Sequence, residues 1–208
     1  MEYSRRNFMK AAGAVAVTTT GVGAVVTGAP QAKADPKPSP LAIPEPITKA
    51  TSIFNINGKT YKTEYEARTT LWEVIAVKLG LTGTNRSCNR ASCGACSVLI
   101  DGTPFYSCHT LAMEAVGKKI FTVEGLGDEK NLHALQRVAH LYSAAECGFC
   151  TPGWEVVAKG LLDKNPNPTT EQVKAALSGH ICRCAAYAAI VRTVIDAGKV
   201  LRGEAEIS

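Results

Sequence analysis

Cys88-Asn-Arg-Ala-Ser-Cys-Gly-Ala-Cys96 is the stretch whose reading decides the fold. Its cysteines stand as C-x4-C-x2-C, and Cys108 follows after eleven intervening residues. This is the plant-type [2Fe–2S] spacing, with three thiolates on one loop and the fourth from a separate segment. Gly94, between Cys93 and Cys96, lets the loop turn backbone N–H groups toward sulfur. A second set lies downstream, Cys147-Gly-Phe-Cys150 with Cys182-Arg-Cys184, and the two sets use all eight cysteines of the chain. Taken alone, the second set also fits tetrahedral zinc. Eight cysteines could instead form four disulfides, although Cys182 and Cys184 would then send two bridges out of a crowded tripeptide.

Working outward, the residues before the first set read as a small sheet domain. Ser52–Ile56 alternates apolar and polar residues, Asn57-Gly58 is a hairpin turn, and Lys59–Tyr65 returns. Thr69 or Thr70 can cap a helix from Leu71 to Leu79, whose apolar face is Leu71, Val74 and Ile75, with Gly80 as its stop. Ser97–Ile100 and Phe105–Cys108 form a hairpin about Asp101-Gly102, and Ile120–Val123 is a further strand.

After Glu124-Gly125 the period changes to that of helices. Leu132, Leu135, Val138, Ala139 and Tyr142 mark one. Trp154, Val157, Ala158, Leu161 and Leu162 mark a second. Thr169 and Gln172 make a capping box for a third that ends at Leu177, and Tyr187, Ile190, Val191, Val194 and Ile195 face inward on a fourth, Ala185–Leu201. Both Cys pairs of the second set fall in turns between these helices, so one end of a bundle can present four thiolates together. The expected fold is α+β, a sheet domain followed by an all-α domain.

The N-terminus precedes this. Arg5-Arg6 stands ahead of an uncharged stretch, Ala11 to Ala32, and Ala32-Lys33-Ala34 is a cleavage signal. Residues 1–34 therefore read as a twin-arginine signal peptide, which calls for the twin-arginine translocase and a periplasmic destination with cleavage after Ala34. That route suits proteins that fold around a cofactor before export, which favours metal over disulfides. Residues 35–50 hold five prolines and read as a linker. Without residues 1–34, which carry Arg5, Arg6, Lys10, Lys33 and Glu2, the formal charge falls from +5 to +2. No basic patch is interleaved with aromatics, so no nucleic-acid partner is expected. His109, His133, His140 and His180 show no ligand spacing, with His133 and His140 expected on a helix surface. Trp154 and Tyr187 are expected in the core.

The run Glu146-Cys-Gly-Phe-Cys-Thr-Pro-Gly153, then Gly179-His-Ile-Cys-Arg-Cys-Ala-Ala-Tyr187, resembles the small iron–sulfur subunit of the molybdenum hydroxylases, the xanthine oxidase family. The first cysteine loop and the Val123–Leu126 join resemble it too, and the likeness covers residues 51–198. Among members, the twin-arginine signal is most like that of the periplasmic aldehyde oxidoreductases. The resemblance implies a β-grasp, plant-type ferredoxin-like domain over 51–125 and a four-helix-bundle [2Fe–2S]-binding domain over 126–208. It implies two [2Fe–2S] clusters, an outer one on Cys88, Cys93, Cys96 and Cys108 and an inner one on Cys147, Cys150, Cys182 and Cys184. It also implies a partner large subunit that holds molybdopterin and performs the substrate chemistry on an aldehyde or N-heterocycle. Electrons would leave toward an FAD subunit or a c-type cytochrome. No residue of this chain is then catalytic. The chain departs from the family at Glu146, where Gln is usual on the pterin side, and at Ala91, His180 and Ala185-Ala186. A free-standing ferredoxin-like carrier is the alternative.

Replacement of Arg5 and Arg6 by lysine is expected to leave the folded precursor in the cytoplasm. Fractionation and immunoblotting check this, and normal export would remove the twin-arginine assignment.

Overall fold

Asn57 and Gly58 adopt φ of 51° and 74° and turn strand β1 (Lys49–Ile56) back into β2 (Lys59–Glu66). Both turn residues need φ > 0, which Asn-Gly supplies at little cost. The computed structural model describes residues 48–206, so Arg5, Arg6 and Ala34 lie outside the described residues. Strand β1 takes in Lys49 and Ala50, the last residues of the proline-rich stretch. Asp101 and Gly102, at φ of 49° and 74°, make the second tight turn, between β3 (Ser97–Ile100) and β4 (Thr103–Tyr106). This return strand starts and ends earlier than expected, because Cys108 is drawn off toward Cys96. Strand β5 (Lys119–Phe121) runs parallel to β1 and antiparallel to β3, giving the order β2-β1-β5-β3-β4.

One face of this sheet buries Phe54, Ile56, Tyr65, Val98, Ile100 and Ile120 against Leu71, Val74 and Ile75. The anticipated helix is there, but it widens from Leu71-Trp72 into a π-helical segment, Glu73–Lys78. Its apolar face is the expected one. The Leu79 N–H reaches back five residues to the Val74 carbonyl at 3.0 Å, a wider loop than the usual four-residue spacing. Apolar periodicity over nine residues cannot separate those two windings.

The second half holds α1 (Ala134–Leu141), α2 (Thr151–Lys164), α3 (Thr170–Ala176) and α4 (Tyr187–Leu201). They enclose their own core of Leu135, Val138, Trp154, Val157, Ala158, Val173 and Val194. Thr169 caps α3 by accepting from the Gln172 N–H, and the Gln172 side chain accepts from the Thr169 N–H. Three expectations fail here. Leu132 precedes α1 and is 48% exposed. His133 is not a helix-surface residue but the N-cap of α1, its Nδ1 accepting from the Leu135 N–H at 3.2 Å. Tyr187 is half exposed rather than inward, because its hydroxyl turns aside to accept the Cys182 N–H at 3.0 Å. Trp154 is fully buried, as expected.

Helix α2 also covers the sheet. A Cβ at Gly160 would come within 2.8 Å of the Leu99 side chain on β3, so the helix lies flat there. Near the start of α2, Glu155 is only 4% exposed. Burial alone pushes its carboxyl up to about 7 from an ordinary 4.5. A carboxyl raised on folding costs nothing below about pH 4.5, where it is protonated in both states, and penalises the fold increasingly up to about pH 7. Glu155→Gln is therefore expected to leave stability unchanged at acid pH. At alkaline pH it should raise the stability of the free chain by on the order of 3 kcal/mol. Denaturant unfolding across pH checks it.

Candidate metal centres

All eight cysteines are free thiols. The first loop bends through three residues of positive φ, Asn89 at 53°, Ala91 at 57° and Gly94 at 74°. A left-handed alanine costs roughly 1 kcal/mol, and the bend turns N–H groups inward onto sulfur. The Ser92 N–H donates to Cys88 Sγ at 3.3 Å. Backbone donation from Arg90, then from Ser92, holds the Cys88 thiol down near 7. At the base of the loop, Cys96 and Cys108 are buried, and burial pushes Cys96 up to about 12. The Ser107 hydroxyl and N–H both donate to the Cys96 carbonyl, which fastens the Cys108 segment to the loop.

The second set repeats this gradient. Cys147 is exposed and its pKa is lowered, chiefly by the Phe149 N–H. Cys150 is buried and pushed up to about 12 by that burial. Cys150 is also the N-cap of α2, whose free N–H groups offset negative charge there. In both sets the thiols neighbour one another: Cys88 with Cys93 and Cys96 with Cys108, with Cys93 near Cys96 as well, then Cys147 with Cys184 and Cys150 with Cys182, with Cys147 near Cys150 as well. Among the described residues no three His, Cys, Asp or Glu side chains converge to hold a single ion. Four neighbouring thiols in each set, some at the rim and some buried, match the ligand set a [2Fe–2S] cluster would need. The buried thiols ionise only against a strong local cation, which iron supplies. The residues fit the cluster.

The fold also brings the two sets together. The Ile181 N–H, one residue from Cys182, donates to the Cys93 carbonyl at 3.0 Å. A cleft of about 310 Å³ is shared by Cys93 and Ala95 from the first loop and Cys147, Cys150, Ile181 and Arg183 from the second set. Gly94, Gly153 and Gly179 make the seam. A Cβ at Gly153 would strike the Gly94 carbonyl oxygen, and one at Gly94 would lie 2.7 Å from both the Gly179 oxygen and the His180 ring. One at Gly179 would overlap the Tyr106 hydroxyl. His180, read from the sequence as an unattached histidine, is a tie across this seam. The Ser97 hydroxyl donates to the Gly94 carbonyl at 2.7 Å, so His180 Nε2–H donates to Ser97 Oγ at 3.1 Å. Burial lowers its pKa, which keeps the ring neutral.

Two families match in this order: the "2Fe-2S iron-sulfur cluster binding domain" over residues 54–125 and the "[2Fe-2S] binding domain" over residues 122–195. The aldehyde oxidoreductase iron-sulfur-binding subunit PaoA of Escherichia coli (strain K12) is 33% identical, over 95% of this chain and 89% of that one. The chain belongs to the iron–sulfur subunits of the molybdenum hydroxylases. The aldehyde oxidoreductase of Megalodesulfovibrio gigas is 41% identical over 73% of this chain, which spans only 17% of that longer protein. The solved quinoline 2-oxidoreductase of Pseudomonas putida 86 superposes with a TM-score of 0.70 at 39% identity, over 76% of this chain and 99% of that one.

Within this iron–sulfur subunit, Glu146 is exposed beside Cys147, on the rim of the second set. Ala91 and Ala185, two of the departures from the family pattern, are both left-handed, with φ of 57° and 62°. Another departure, His180, supplies the tie to Ser97.

The seam makes a direct prediction. Gly153→Ala must push α2 off the Gly94 carbonyl, and overpacking of this kind costs about 1–3 kcal/mol. Denaturant unfolding should show that loss, and an unchanged midpoint would mean the close approach is not obligatory.

Proposed function

We propose that this chain carries two [2Fe–2S] clusters and wires a molybdopterin-bearing large subunit to an outside electron acceptor. The observation that carries this is the disposition of the eight free thiols, two sets of four neighbouring thiols that share one cleft through Cys93, Cys147 and Cys150. Cys147, Cys150, Cys182 and Cys184 would hold the inner cluster, and Cys88, Cys93, Cys96 and Cys108 the outer one. Bound there, such clusters supply one-electron exchange at potentials set by charge, hydrogen bonds to sulfur and burial.

The chain's own residues do the tuning. N–H groups at the rim thiols Cys88 and Cys147 stabilise negative charge, and buried Cys96 and Cys150 sit in a low dielectric that disfavours it. The Ile181–Cys93 hydrogen bond and the glycine seam fasten the two sets to each other. Exposed Cys147 and Glu146 mark the face that meets the large subunit, with Glu146 on the pterin side. Relatives named for aldehyde and quinoline oxidation support an aldehyde or N-heterocycle as the substrate of the complex. The four helices form the bundle that carries the inner set. Arg5-Arg6 supports export by the twin-arginine translocase, which puts the complex in the periplasm with an FAD subunit or a c-type cytochrome as acceptor.

Protein purified under anaerobic conditions should contain about four iron and four acid-labile sulfides per chain. Cys93→Ser should remove about half of both and abolish one of two paramagnetic signals on reduction. Stoichiometric zinc, or loss of both signals from a folded Cys93→Ser protein, would overturn the assignment.

A further inference from the structure

Glu155 lies on α2 five residues beyond Cys150, and among the described residues it accepts no hydrogen bond and pairs with no cation. A buried ionised group left alone is costly, so such groups are normally paired. Glu155 lines a cleft of about 370 Å³ between α1 and the start of α2, together with Gln136, His140, Ser143 and Glu146. The cleft takes in the C-terminal half of α1, whose dipole adds partial negative charge even though the Val138, Ala139 and His140 carbonyls accept from Tyr142, Ala144 and Ser143. It therefore presents two carboxylates, the Ser143 hydroxyl, the Gln136 amide and the His140 imidazole at the negative end of a helix.

Those groups do not converge to hold a single metal ion. A long cationic side chain with several donors spread over a plane matches them better, and that description is arginine. The cleft opens beside Cys147, the exposed thiol of the second set. We propose that this cleft is a socket for an arginine of the molybdopterin-bearing subunit, with Glu155 as the buried counter-ion and Glu146 at the mouth. The proposal rests on the function argued above, since it needs that partner to approach the inner set. The carboxyl's elevated pKa agrees with it: the free chain holds an acid strained by burial, and docking would relieve it.

The test uses the opposite signs this implies for chain and complex. Wild type, Glu155→Gln and Glu155→Leu are each expressed with a tagged large subunit, and the subunit dissociation constant is measured across rising salt. Thermal unfolding of the free chain is followed alongside at mildly alkaline pH. Both substitutions should raise the free chain's Tm and yet raise the dissociation constant at least about tenfold, because the partner's cation loses its mate. Unchanged or tighter association of both variants, in step with their stability, would overturn the socket while leaving the electron-transfer role intact. A lower Tm in the free chains would place the cation within this chain and overturn it as well. A wild-type chain that binds no molybdopterin protein would bring down the functional proposal, and the socket with it.

Discussion

Backbone lies directly on backbone where Gly94 meets Gly153 and Gly179, and the rest of the arrangement depends on that contact. Each half of the chain has its own core, one around Phe54, Val74 and Ile120 and the other around Leu135, Trp154 and Val194. Nothing within either core determines how far apart the two thiol sets sit. Electron tunnelling falls steeply with distance, so the added width of a methyl group on each glycine would matter. The Ile181–Cys93 hydrogen bond and the His180–Ser97 tie then stop the apposed backbones from sliding. Hydrogen bonding and steric fit act in the same place and define one separation.

The electrostatics of the two centres follow from where each thiol sits on its turn. Rim sulfurs collect N–H donors because left-handed residues point those donors inward, at Asn89 and Ala91 in the first loop and Gly148 in the second. Base sulfurs collect burial because they anchor the turn to a core. Each centre is thus asymmetric, with one edge in which anionic sulfur is stable and another in which it is not unless a metal compensates. Such asymmetry is available to any loop that starts at the surface and ends in the interior.

Features that depend on a few neighbouring residues were legible in the sequence. The Asn57-Gly58 and Asp101-Gly102 turns, the Thr169–Gln172 capping box and the cysteine spacings each carry their physics within a dozen residues. Most of the apolar stripes of α1, α2 and α4 were visible too, Leu132 and Tyr187 excepted. What escaped is set by contacts between distant segments. The π winding at Glu73–Lys78, the cap role of His133, the turned-out Tyr187 and the tie from His180 to Ser97, 83 residues apart, have no local signature. Glu155 is the sharpest case, because its sequence neighbourhood is an ordinary helix, and only the packing of α1 over α2 reveals that a carboxylate has been enclosed.

The placement of the thiols along the chain has a consequence for biogenesis. The first set, Cys88 to Cys108, belongs wholly to a half that owns its core and leaves the ribosome first. The second set is split between Cys147-Cys150 and Cys182-Cys184, and the glycine seam closes only after Gly179 has emerged. Cys93 and Cys150 line one shared cleft, which exists only once the two halves have met. Synthesis therefore runs in the order that leaves each pocket open until its last ligand exists. The first thiol set is therefore complete in the chain before the seam can exist, and the second is complete only after Gly179 has emerged.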